Sequence, residues 1–184
     1  MKSSDDTKNL EEKKREEMLR VATAILDGTF DIKGYYGLTD GGVEAIYVAG
    51  YEFFQHKKYE QAQQIFSLLC FLDNSTPKFY YAYGAASFML KQYFNAEIGY
   101  RAAMLTGDYT PKLFLRLAEA CLWQNKIKET EDSLNEVMRL SQLDEFKDSD
   151  DAKHAASRAS LILEGLKRTK AKAEEPVTAN QESK

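Results

Sequence analysis

Apolar residues recur at helical spacing along almost the whole chain, and the spacing itself names the elements. Residues 10–27 put Met18, Val21, Ala22 and Ile25 on one face, and Gly28 stands where that helix would end. DSDD at 148–151 offers an N-cap, after which Ala152, Ala155, Ala156, Ala159, Ile162, Leu163 and Leu166 form a stripe. No window shows the strict alternation of a half-buried strand bounded by turn residues. The pattern predicts an all-α chain. Residues 28–42 read as a linker, with Thr39 or Asp40 capping the next helix. Residues 1–9 and 169–184 are polar and aperiodic, which predicts disordered tails.

Between these flanks one period dominates. Pro77 and Pro111 are 34 residues apart, and the same offset links Gly50, Gly84 and Ala118. It also links Ala62, Ala96 and Thr130, and again Phe66, Tyr100 and Leu134. With Pro77 as position 1 the units are 43–76, 77–110 and 111–144. Position 8 is small where a neighbouring helix would cross closely, and so is position 20 on the second helix. Position 24 is bulky and fills the space between the two. Proline at position 1 costs little, because a first-turn N–H has no helical partner. Four columns at one period resemble the tetratricopeptide repeat, a helix-turn-helix unit. Thr130 departs from the alanine pattern, and position 32 is never proline. The predicted architecture is a superhelical array of three such repeats, with an N-terminal helix over 10–42 including its linker. A capping helix over 145–168 would cover the exposed face of the last repeat.

In a repeat of this kind the first helix of each pair lines the concave side. Positions 2, 5, 9, 12 and 13 face it. They are Glu44, Tyr47, Tyr51, Phe54 and Gln55 in the first repeat, and Lys78, Tyr81, Ala85, Phe88 and Met89 in the second. In the third they are Lys112, Leu115, Glu119, Leu122 and Trp123. This surface is apolar and aromatic for one that stays wet. Tyrosine suits such a place because its ring buries area while its hydroxyl stays paired. Two readings stay open at this point: a groove for a peptide, or a face that packs against the N-terminal segment or the capping helix. As a groove, three aliphatic anchors at about 1.5–3 kcal/mol each, less the cost of ordering the peptide, give roughly micromolar affinity.

Composition narrows the choice by exclusion. The 25 basic and 29 acidic residues give a net charge of −4. Residues 43–142 carry ten basic and eleven acidic side chains, so no single-sign field marks a binder of duplex nucleic acid or an anionic membrane. No apolar run approaches the ~20 residues of a membrane span. The N-terminus lacks the apolar core of a secretory signal. Cys70 and Cys121 are no disulfide framework, and both read as small buried residues. These features place the chain in the cytoplasm.

Candidate chemistry is sparse. His56 and His154 are the only histidines, far apart and without a cysteine at metal-ligand spacing. Gly41-Gly42 precedes a helix but lacks the Lys-Ser/Thr of a phosphate loop. No catalytic triad is suggested, and acid pairs such as Glu129 and Asp132 read as solvated surface. The expectation is no enzyme, no metal and no cofactor.

A closer likeness runs through residues 46–100. Tyr59, Glu60, Ala62, Phe66, Leu69, Cys70 and Asp73 form a Y-E-x-A…F-x-x-L-C-x-x-D segment, led in by Gly28 to Asp40. This resembles the class II chaperones of bacterial type III secretion, the LcrH/SycD-like family, over roughly residues 15–165. The resemblance implies a bacterial cytoplasmic chaperone that holds hydrophobic translocator proteins soluble and secretion-competent. An extended segment near the translocator's N-terminus would lie in the groove. Tyr47, Tyr51 and Phe54 match the family's groove aromatics in the first repeat, and Tyr81, Ala85 and Phe88 those of the second. It also implies a homodimer through the N-terminal helical region, here Met18, Val21, Ala22 and Ile25. The other reading is a generic repeat scaffold for another peptide, such as one ending in a carboxylate. Lys112 and Arg116 resemble half of a two-carboxylate clamp, but the other half wants Lys and Asn where this chain has Tyr47 and Tyr51.

Overall fold

A computed structural model describes residues 4–27 and 31–174. The expected helix end at Gly28 and the expected disorder of 1–3 and 175–184 lie outside the described residues. Among the described residues the chain is all-helical. It divides into two compact units, one up to Val43 and one from Glu44 onward.

The first unit holds α1 (Ser4–Leu26) and α2 (Ile32–Tyr35). Helix α1 starts at Ser4, so most of the stretch expected to be disordered is helical. Its turns mix acids and bases at short spacing, which is compatible with a solvated helix. Helix α2 interrupts the expected linker because Asp31 accepts the amide of Gly34 at 2.9 Å and nucleates one turn.

The repeats supply α3 (Asp40–Gln55) with α4 (Tyr59–Leu72), α5 (Pro77–Met89) with α6 (Tyr93–Leu105), and α7 (Pro111–Trp123) with α8 (Ile127–Leu140). Thr39 is the residue that caps α3, its hydroxyl accepting the amide of Gly42 at 3.1 Å. The bulky column Phe66, Tyr100 and Leu134 is at most 1% exposed. Burying each such side chain contributes about 1.5–3 kcal/mol. The small columns explain how the bulky ones fit. A methyl on Gly50 would lie 2.7 Å from the Phe66 ring, and one on Gly99 would lie 2.8 Å from the Cα of Gly84. Helices α5 and α6 therefore meet backbone to backbone. Thr130 fits the alanine column because its hydroxyl donates to the carbonyl of Lys126 at 2.7 Å, so no buried polar group is left over.

The turns repeat as faithfully as the core. Lys57, Lys91 and Asn125 all have φ near +60°. They are 34 residues apart, between the two helices of each repeat. In each, the left-handed residue and its successor bond back to the helix, as Lys91 does to Phe88 and Gln92 to Ser87. Asp73 and Asp108 hold the turns between repeats. Each accepts an amide and a hydroxyl two residues on, from Ser75 and Thr110 respectively. Pro77 and Pro111 then open the next helix.

Helix α9 (Asp150–Glu174) packs on α7 and α8 and ends six residues past the expected boundary at 168. Its Ala155 and Ala159 join Leu115, Ala118, Leu134 and Val137 in one buried cluster. It keeps the register of the repeats with an offset of 39 instead of 34. Lys112 pairs with Asp151, Glu119 with Arg158 and Glu131 with Lys170, each 39 residues apart. Five extra residues, 39 − 34, thus precede a helix placed like the first of a fourth unit.

Candidate functional site

The residues expected to line a groove fall into three groups. The first is a row on α3 and α5. Tyr47 is half-buried, with its ring 5.8 Å from Phe66 and 5.7 Å from Phe79, and it stacks on the exposed Tyr51 at 6.5 Å. Lys78 pairs with Glu44 and holds its ammonium 4.8 Å above the Tyr47 ring. Burial pushes the Tyr47 hydroxyl up from its ordinary pKa, and Lys78 opposes that shift. Tyr81 lies 5.7 Å from the buried Tyr100, and Ala85 beside it is partly open.

The second group packs on the tyrosines that open the second helices. Phe54 meets Tyr59 edge-on at 5.3 Å, and Phe88 meets Tyr93 edge-on at 5.4 Å, the same contact 34 residues on. Both phenylalanines and Leu122 are half-buried. Met89 and Trp123 stay exposed, at 46% and 65%, with Trp123 stacked on Tyr93 at 5.3 Å.

The third group is covered. Leu115 is 4% exposed inside the α7–α9 cluster, which corrects the expectation that it forms open groove surface. The physical reason is α9, whose alanines let it approach closely. Lys112 remains exposed but is paired with Asp151 at 3.2 Å. Glu119, 4% exposed, accepts from Arg116 at 2.8 Å and from Arg158. Glu119 and Tyr81 hold Arg116 above its ordinary pKa, although burial acts to lower it.

The expected dimer residues lie on α1. Met18 is 73% exposed, Ala22 is exposed and Val21 half-buried. The side chain of Ile25 lies outside the described residues.

Sequence reasoning missed Arg158, whose role depends on the 39-residue offset. It also missed Glu97, buried where α6 meets α7 and α8. Arg101 donates to it at 2.9 Å, Gln124 at 2.8 Å and Lys126 at 2.6 Å. Burial alone would raise the Glu97 pKa, but these donors together bring it below the ordinary carboxyl value. Burial pushes the Cys70 thiol up to about 12 and raises Cys121 as well. Among the described residues no cluster of His, Cys, Asp or Glu could hold a metal ion, and no helix is long and apolar enough to cross a membrane.

No family model matches the chain. A curated relative does: Low calcium response locus protein H of Yersinia pestis, 27% identical over 125 residues, 68% of this chain and 71% of the relative. Among solved structures, Yersinia enterocolitica SycD in complex with a peptide of the translocator YopD superposes with a TM-score of 0.65. It is 26% identical, over 72% of this chain and 97% of that one. PcrH, a Pseudomonas aeruginosa protein, in complex with the chaperone binding region of PopD gives a TM-score of 0.66 at 25% identity, over 73% and 97%. The chain is similar to translocator chaperones of type III secretion. The likeness read from the Y-E-x-A…F-x-x-L-C-x-x-D segment is borne out, and the structure shows what that segment does. Ala62, Phe66 and Leu69 are core, and Asp73 is a turn cap. These residues mark the scaffold, while the row on α3 and α5 is exposed beside it.

Proposed function

We propose that this chain is a chaperone of hydrophobic type III secretion translocators in the bacterial cytoplasm. It would capture an extended segment of the translocator along the Tyr47, Tyr51, Tyr81 and Ala85 row, without chemistry. The observation that carries this reading is the likeness to SycD and PcrH along nearly their whole length, each with a translocator segment bound. The row supports it physically. Tyr47 and Tyr81 are half-buried against Phe66, Phe79 and Tyr100, so they offer apolar area while losing little side-chain entropy on binding. Lys112, Met89 and Trp123 are also exposed, and we include them in the capture surface. Shielding the anchors of a pore-forming protein keeps them from premature association.

Met18, Ala22 and the neighbouring Leu19, which share a depression on α1 with Lys14 and Arg15, are the surface we assign to a homodimer. Met18→Glu is expected to shift the species seen by sedimentation from dimer to monomer, and an unchanged mass would remove that assignment.

Capture is tested by co-purification of the translocator encoded beside this gene. Tyr47→Ala with Tyr51→Ala is expected to lower recovery at least tenfold while the helical circular dichroism stays intact. Undiminished recovery from a folded double variant would move the site off this row.

A further inference from the structure

Beyond the aromatic row, a small polar cavity of about 150 Å³ opens between α7 and α9. Lys112, Leu115 and Arg116 line it from α7, and Asp151, His154, Ala155 and Arg158 from α9. That volume is at least ten times what one water needs, about 10–15 Å³. We infer that this cavity binds a carboxylate, held by the forks of Arg116 and Arg158, as a subsite for an acidic group on the captured segment. The inference rests on the capture reading above and adds a charged specificity to it.

Charge and geometry both favour an anion. Three cations, Lys112, Arg116 and Arg158, face two acids, Glu119 and Asp151, which leaves a formal net charge of +1. The acids are already engaged. Asp151 accepts Lys112 at 3.2 Å. Glu119 is buried beneath the two arginines, one carboxylate oxygen taking Nη1 of Arg116 and the other Nε of Arg158. It thus anchors one donor of each guanidinium, and both arginines line the cavity. Planar forks held in place by a buried acid are what bidentate carboxylate recognition requires.

The cavity also continues the aromatic row. Tyr81 lies near enough to Arg116 to favour its charged form, so the last tyrosine of the row and the first arginine of the cavity are neighbours. A segment lying on Tyr47 and Tyr81 would reach the arginines next. The partner half of a carboxylate clamp, absent at Tyr47 and Tyr51, is supplied here by α9 with Arg158 and His154.

The test uses the full chain and three small probes in an NMR titration that follows the arginine Nε–H signals. N-acetyl-glutamate N-methylamide carries a side-chain carboxylate, its glutamine counterpart carries none, and N-acetyl-alanine carries only a terminal carboxylate. The expected result is saturable shifts at Arg116 and Arg158 with the glutamate probe at millimolar concentration, weakened by salt, and none with the glutamine probe. Saturable shifts with N-acetyl-alanine would support the same site and assign it to a chain terminus. Arg158→Gln is expected to weaken binding at least fivefold. If that variant does not fold, Arg158→Lys, which keeps the charge and loses the fork, is expected to weaken it severalfold. Equal shifts with the glutamine probe, no shift at either arginine, or unchanged affinity in a folded Arg158 variant would each overturn the inference. The probes bind without the translocator, so this failure is distinct from failure of the capture assay on Tyr47 and Tyr51.

Discussion

The first two repeats and the third share a backbone but present different surfaces. At position 9 the chain carries Tyr51, then Ala85, then Glu119. Tyr51 is 48% exposed, whereas Glu119 is 4% exposed under α9 and locked between two arginines. At position 5, Tyr47 and Tyr81 stay half-open while Leu115 is sealed in a core cluster. The difference teaches that position in a repeat sets where a side chain points, and the next helix decides whether anything can reach it. Repeats one and two keep aromatic surface at position 5, where Tyr47 and Tyr81 stay half-open. Repeat three ends in core and ion pairs because α9 brings alanines.

That contrast can be broken most severely at the α5–α6 contact. Gly99→Ala is expected to cost about 3 kcal/mol, because the added methyl meets only backbone and the helices must part. Gly165→Ala on α9, where the methyl meets nothing within 4 Å, is expected to gain up to about 1 kcal/mol. Urea titration of both variants checks the pair, and a silent Gly99→Ala would refute the close approach.

A middle-sized effect lies at the joint between repeats two and three. The folded pKa of Glu97 is depressed, so its contribution is complete above the unfolded carboxyl value, about 4.3. It is lost as pH falls through the lower folded value. Glu97→Gln is expected to cost about 1–2 kcal/mol at pH 7, with the two stability curves converging in acid. A constant gap across pH would mean that the carboxylate charge contributes nothing.

The smallest effect sharpens the likeness of the repeats rather than their difference. Lys91→Gly relieves a left-handed residue and is expected to stabilise by about 0.5–1 kcal/mol. Asn125→Gly should gain less, since asparagine tolerates that conformation better. Thermal melts of the two variants, compared with the parent chain, read the difference.

The helical class and the packing columns were legible because a recurring steric demand leaves recurring residue sizes, as at Gly50, Gly84 and Ala118. The aromatic row was legible for the same reason, since position fixes direction. The closed third repeat was not. Its cover is set by α9, whose contacts recur at 39 residues, so a search at 34 passes over Arg158 and Asp151. The left-handed turns were missed for a different reason. Lysine at 57 and 91 carries no turn signal of its own, where glycine would have announced it. Phe54 and Phe88 were read toward the groove without the tyrosine that opens each following helix, and the edge-on pair they form keeps half of each ring occupied.

The meeting of Gly84 and Gly99 also bears on how the molecule yields under load. Where two helices touch through bare backbone, as Gly99 does against Gly84, no side chain at that point can change rotamer, so the spacing there is inelastic. Compliance must come from joints made of longer groups, such as Lys126 and Gln124 on Glu97 or Trp123 on Tyr93. Segments of different bulk laid on the aromatic row would then be accommodated by give on either side of the middle repeat, with the middle repeat itself acting as the anvil.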